Sequence, residues 1–123
     1  MITQFKIYEN FLTSFFPKRK DEPQIGDYVL SEIGNYDIPE VIDFIKDNIG
    51  QFIILWKEGT SAPYVVKYEN IPEEYVVEFQ HLTYRKEKFK RVENIWRFKR
   101  EEIKYFGTKE EMEMILQANK YNL

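Results

Sequence analysis

The sequence predicts an α+β fold that is mainly β, with a curled antiparallel sheet or a small barrel as its centre. Three short β-type runs bounded by turn residues lead to this prediction, at residues 26–30, 49–56 and 63–68. Helical spacing of apolar residues lies between the first two runs and again near residue 112. Antiparallel pairing is favoured because parallel pairing of such closely spaced strands would need a crossover at every step.

The chain of 123 residues has the length of one domain. Residues 1–24 are predicted to form an N-terminal segment and a polar linker, and residues 25–106 the barrel-like core. A helix inserted between the first two strands is expected at 37–48, because Asp37 can cap it, Pro39 suits its first turn and Glu40 follows three residues after the cap.

The remaining elements follow from turn and capping signals. Thr108 and Glu111 have capping-box spacing and predict the start of a C-terminal helix. The predicted elements are a hairpin loop at 59–63, a fourth strand at 75–84, a fifth strand at 92–98 and the C-terminal helix at 108–118.

Composition limits the classes of function. The absence of cysteine excludes disulfides, zinc–thiolate sites and thiol nucleophiles. The longest apolar run, at 52–56, is far shorter than the roughly 20 residues that cross a bilayer, so no membrane partner is expected. The first residues lack a basic start followed by an apolar stretch, which predicts a cytoplasmic protein.

Charge is divided along the chain although the net charge is only −3. Residues 21–82 hold 13 acidic and 3 basic residues, a net charge of −10. Residues 83–104 hold 9 basic and 4 acidic residues, a net charge of +5. Such asymmetry bears on the choice of partner rather than on the fold.

Several blocks of the sequence resemble the strand layout of SH3-like small barrels of the Tudor and KOW type. These blocks are GDYV at 26–29, IGQF at 49–52 and YVVKYE at 64–69, and REEI at 100–103 resembles the 3₁₀ turn before the last strand of such barrels. With the closing NKYNL at 119–123, the blocks are similar to small proteins of phage and viral genomes. Ile, Lys, Phe, Tyr and Asn make up 53 of the 123 residues, which indicates A/T-rich coding and agrees with such an origin.

The first hypothesis is a non-enzymatic module that binds a protein through its acidic half. A field of carboxylates can imitate phosphate and occupy a basic groove, and tyrosines beside it make good anchors. In a phage or virus the partner would be a host or viral protein, with inhibition of a nucleic-acid enzyme of host defence as one version. The candidate contact residues are Tyr28, Tyr36, Tyr64, Tyr68, Asp43 and Asp47.

The alternative hypothesis is an RNA- or DNA-binding domain that uses the basic segment 84–100. Cations neutralise phosphates while aromatic faces stack on bases. A strand at 92–98 would instead bury Trp96 and Phe98 and leave Arg97 on a solvated face. The candidate residues are Arg85, Lys86, Lys88, Lys90, Arg91, Arg97 and Arg100.

Catalytic and metal chemistry are not indicated. His81 is the single histidine and stands in an alternating run, so a sheet position is favoured over a ligand or base role. The acidic pairs suit helix caps and solvated surfaces. We therefore expect no catalytic residue, no metal and no cofactor, and a monomer or homodimer.

Overall fold

Seven strands and four helical segments lie in the residues that the computed structural model describes, which are 22–57, 60–85 and 88–121. In chain order they are β1 (Tyr28–Ser31), α1 (Pro39–Asp47), β2 (Gly50–Leu55), β3 (Tyr64–Lys67), a first 3₁₀ helix (Glu73–Phe79), β4 (His81–Arg85), β5 (Lys88–Val92), β6 (Ile95–Phe98), a second 3₁₀ helix (Arg100–Glu102), β7 (Ile103–Gly107) and α2 (Lys109–Tyr121).

Five strands form one antiparallel sheet in the order β6-β3-β2-β1-β7. The described strands leave this sheet open, with β6 and β7 at its two edges. Among the described strands, β4 and β5 pair only with each other and form a separate two-stranded ribbon. The predicted α+β class, mainly β, with α1 between the first two strands and α2 near the C-terminus, is confirmed.

One face of the sheet carries the larger core, which we call the first core cluster. Helix α1 and the first 3₁₀ helix cover this face, and their aromatic rings pack edge-on, with Phe44 and Phe79 centroids 5.5 Å apart. Such pairs add stability beyond the area that they bury. The buried members are Val29, Val41, Phe44, Ile45, Phe52, Val66, Tyr68, Phe79, Phe98 and Ile103.

The other face carries a second core cluster of Leu30, Met112 and Ile115, which docks α2 onto β1 and β7. Neighbouring residues of β1 belong to different clusters, Val29 to the first and Leu30 to the second, because successive residues of a strand point to opposite faces. The predicted capping box is confirmed: the Glu111 amide donates to Thr108 Oγ1 (3.1 Å) and the Thr108 amide donates to Glu111 Oε1 (2.8 Å).

Three predicted elements are corrected. Helix α1 has Ile38 as its N-cap and no side-chain capping bond, so Asp37 does not cap it. The predicted strand at 75–84 is the first 3₁₀ helix followed by β4, because the chain turns after Pro72 and buries Phe79. The predicted strand at 92–98 is divided by Asn94, whose φ of 63° turns the chain between β5 and β6.

The other predicted boundaries agree with the structure to within three residues where they lie in the described part of the chain. Helix α2 extends three residues beyond the predicted end at 118, to Tyr121. The 3₁₀ turn predicted at 100–103 is present at Arg100–Glu102, directly before the last strand. Most of the predicted N-terminal segment, 1–24, lies outside the described residues.

Candidate functional site

Carboxylates line the solvent side of α1 and of the first 3₁₀ helix. On α1, Glu40, Asp43 and Asp47 are exposed and follow one another at spacings of three and four residues. This spacing places them on one side of the helix, opposite the side that buries into the first core cluster. We call the exposed carboxylates of the two segments the acidic face: Glu40, Asp43, Asp47, Glu73 and Glu74.

Aromatic packing holds the two segments of the acidic face side by side. The Phe44 ring of α1 lies 5.5 Å from the Phe79 ring and 6.1 Å from the Tyr75 ring, both on the first 3₁₀ helix. Because Phe44 contacts both Tyr75 and Phe79, the segments that carry the carboxylates are neighbours in the fold. Val77 is 69% exposed on the same 3₁₀ helix and adds an apolar contact point to this side.

Tyr36 contacts the 3₁₀ segment of the acidic face through Glu78. Its hydroxyl donates to Glu78 Oε2 at 2.6 Å, and its ring packs edge-on against Trp96. Burial of the ring, and then the hydrogen bond to the Glu78 carboxylate, raise the pKa of Tyr36 to about 12. The phenol is therefore a fixed hydrogen-bond donor at neutral pH.

The other predicted tyrosines lie elsewhere. Tyr28 packs against the second core cluster, on the sheet face opposite α1. Tyr64 donates to Glu22 Oε2 at 2.8 Å, and burial followed by this bond raises the pKa of the phenol. In return, the hydrogen bond from Tyr64 is the largest cause of the lowered pKa of Glu22.

Tyr68 is corrected as a contact residue because it is only 1% exposed. Burial raises its pKa, and the nearby Ser31 hydroxyl opposes this shift. The two hydroxyls nevertheless do not meet the geometry of a hydrogen bond and are buried without a described partner. Tyr68 is a core residue that no binding partner reaches in the folded chain.

Of the predicted contact residues, Asp43 and Asp47 belong to the acidic face and Tyr36 contacts its 3₁₀ segment through Glu78. Tyr28, Tyr64 and Tyr68 lie elsewhere. Sequence analysis missed Val77, because the run 75–84 was predicted to be a strand and not a helical turn. The only sequence signal for the turn is Pro72 followed by two glutamates, which suits the start of a helix.

Two of the residues predicted to bind nucleic acid, Arg97 and Arg100, make contacts within the fold. Arg97 Nε donates to the Ala62 carbonyl at 3.3 Å, and its guanidinium lies 5.5 Å from the centre of the Trp56 ring. Arg100 Nε is 3.0 Å from Glu22 Oε2, and its guanidinium lies over the Phe106 ring. Both arginines therefore have intramolecular partners in the described fold.

The register of the β4–β5 ribbon places the other basic residues. Arg85 pairs with Lys88 and Thr83 pairs with Lys90, so these positions share one face of the ribbon, because cross-strand partners lie on the same face. Arg91 pairs with Leu82 and Tyr84 pairs with Phe89, on the other face. Lys86 lies outside the described residues.

Within residues 22–57, 60–85 and 88–121, no group of three or more His, Cys, Asp or Glu residues is arranged to hold a metal ion. None of the helices described there is long and apolar enough to cross a membrane. His81 occupies a ribbon position opposite Val92.

Comparisons with protein-family models, with curated proteins and with solved structures found no match to this chain.

Proposed function

We propose that this chain is a non-enzymatic protein-binding module that presents its acidic face to a basic surface of a partner protein. The observation that supports this proposal is the contact of Phe44 with Tyr75 and Phe79, which makes neighbours of the two segments that carry the exposed carboxylates. The exposed Val77 supplies an apolar contact within the same surface.

The charge of the acidic face favours a partner that binds nucleic acid. A basic groove that binds nucleic acid is neutralised by phosphates, and carboxylates spaced along two adjacent segments can supply the same negative charge. Electrostatic complementarity of this kind raises both the specificity and the rate of association. The phage-like resemblance of the sequence suggests the setting, a small accessory protein that acts in the host cytoplasm on a host or viral protein. Inhibition of a nucleic-acid enzyme of host defence is the version that we favour.

Charge reversal tests the proposal. The variant Asp43→Lys/Glu74→Lys changes one exposed carboxylate on each segment of the acidic face. The matched control Glu69→Lys/Glu113→Lys makes the same charge change at exposed positions outside this face. We expect affinity capture from host lysate, quantified by mass spectrometry, to recover the same partner with the wild type and the control and to lose it with the acidic-face variant.

If the acidic-face variant keeps the partner while its thermal unfolding matches that of the control, the acidic face is not the binding surface.

The register of the β4–β5 ribbon favours a second function, the binding of RNA or DNA. Arg85, Lys88 and Lys90 share one ribbon face, and a two-stranded ribbon is narrow enough to enter the major groove of DNA. Binding through phosphate contacts weakens steeply as the salt concentration rises.

A gel-shift titration at several salt concentrations tests this second function. We expect Lys88→Glu/Lys90→Glu to abolish binding and the matched reversal Lys67→Glu/Lys109→Glu to retain it. Absence of binding by the wild-type protein at low salt rejects the function.

A further inference from the structure

A groove of about 270 Å³ opens between the C-terminal ends of α1 and α2, beside the second core cluster. Its apolar lining consists of Leu30 on β1, Tyr105 on β7 and Leu116 on α2. The volume is just below the range of about 300–1,000 Å³ that small-molecule sites occupy. The volume therefore limits a ligand of this groove to a compact organic molecule.

Three lysines from three different elements line the groove: Lys46 at the end of α1, Lys104 on β7 and Lys120 at the end of α2. Lys104 Nζ donates to the Glu101 carbonyl at 2.8 Å. Lys46 and Lys120 have no ion pair or hydrogen bond with any described residue. Lysine in the last turn also offsets the negative end of a helix, but this role does not require the two helix ends to meet at one groove.

Two carboxylates, Glu32 and Asp47, line the same groove, so its five charged side chains leave a net positive charge of one. A ligand with one anionic group therefore matches the groove in charge. The carboxylates accept hydrogen bonds, so they suit a ligand whose body also carries hydroxyl or amino donors.

We infer that this groove binds a small organic anion with a flat apolar body that carries hydrogen-bond donors. The body lies against Leu30, Tyr105 and Leu116, and the anionic group is reached by Lys46 and Lys120. Nucleotides and aromatic carboxylates both have this chemistry. The inference does not depend on the protein-binding function proposed above.

Titration followed by amide chemical shifts tests the inference, with adenosine 5′-monophosphate and indole-3-acetate as probes. We expect at least one probe to saturate with a Kd below about 1 mM and to shift the amides of Leu30, Tyr105 and Lys120. The probe that binds identifies the anion as a phosphate ester or a carboxylate. Adenosine, which lacks the anionic group, should bind at least about tenfold more weakly than the nucleotide if the nucleotide is the ligand.

Variants locate the site. Lys46→Ala/Lys120→Ala should weaken probe binding at least about tenfold, because two charged hydrogen-bond donors are lost. The matched control Lys57→Ala/Lys67→Ala removes two exposed lysines outside the groove and should bind as the wild type does. No saturable shift with either probe, an unchanged affinity of the groove variant, or equal binding of inorganic phosphate, which means an adventitious ion only, overturns the inference.

Discussion

On one face of the five-stranded sheet, ten described residues form the first core cluster, whereas on the other face α2 adds a cluster of three. The first cluster joins five strands to α1 and a 3₁₀ helix through interlocking aromatic rings. The second holds one helix through Met112 and Ile115 against Leu30. We therefore expect packing on the first face to contribute more to the stability of the whole chain than the docking of α2 on the second.

Phe98→Ala is the strongest test of this difference. Phe98 is fully buried in the first core cluster, and removing a buried phenylalanine costs about 3–5 kcal/mol of unfolding free energy. Urea denaturation followed by circular dichroism should show the loss as a lower midpoint for the whole chain. Tyr121→Ala, at a residue 79% exposed, is the control and should change stability by less than about 0.5 kcal/mol.

Ile115→Ala should cost about 2 kcal/mol, the lower end of the range for buried aliphatic residues, because α2 can shift to close the cavity. Ile115 is 4% exposed and has only two buried partners in its cluster. Hydrogen exchange should show lost protection in α2 and retained protection in β2 and β3. Equal loss of protection in both regions would show that the two faces unfold as one unit.

Thr108→Ala removes the side-chain cap at the start of α2, the helix that covers the second face. The Thr108 hydroxyl accepts from the Glu111 amide, and loss of such a cap costs about 1 kcal/mol. Thr108→Ser keeps the hydroxyl and should restore most of the stability. If alanine and serine behave alike in thermal unfolding, the cap does not stabilise α2.

Tyr36→Phe removes the hydrogen bond to Glu78 and should cost about 1 kcal/mol at neutral pH, the same magnitude as loss of the Thr108 cap. The folded chain raises the pKa of Tyr36 to about 12 from its ordinary value of 10.0, so the folded state holds the proton more tightly than the unfolded state. The stability that this provides is present below pH 10 and is lost as the pH rises towards 12. The difference between wild type and variant in urea titrations should shrink over this interval, and a constant difference contradicts the assignment.

The first three strands and the capping box of α2 were predictable because their signals are local. Thr108 and Glu111 lie within one helical turn, so their spacing alone specifies their bonds. The run at 75–79 was not predictable in this way, because Val76, Val77 and Phe79 suit a strand as well as a turn. Only burial of Phe79 beneath α1, a contact distant in sequence, selects the 3₁₀ helix.

The negative charge of the candidate site was predictable from the sequence, but the full set of residues that form it was not. Asp43 and Asp47 follow from helical spacing, since an amphipathic helix turns its charged residues to solvent. The burial of Tyr68 depends on Phe44 and Phe79 packing against its ring, which no local pattern reveals. The same long-range packing places Val77 on the surface.

The backbone amide of Tyr68 donates to the carbonyl of Asn94 at 2.8 Å, at the turn where the chain leaves the β4–β5 ribbon for β6. A buried residue thus fixes the point of re-entry, while among the described strands the ribbon shares no ladder with the five-stranded sheet. Backbone pairing among the described strands therefore does not tie the ribbon to the sheet. A protein engineer could replace residues 81–92 by a different hairpin and keep the scaffold, provided that Asn94 retains its turn.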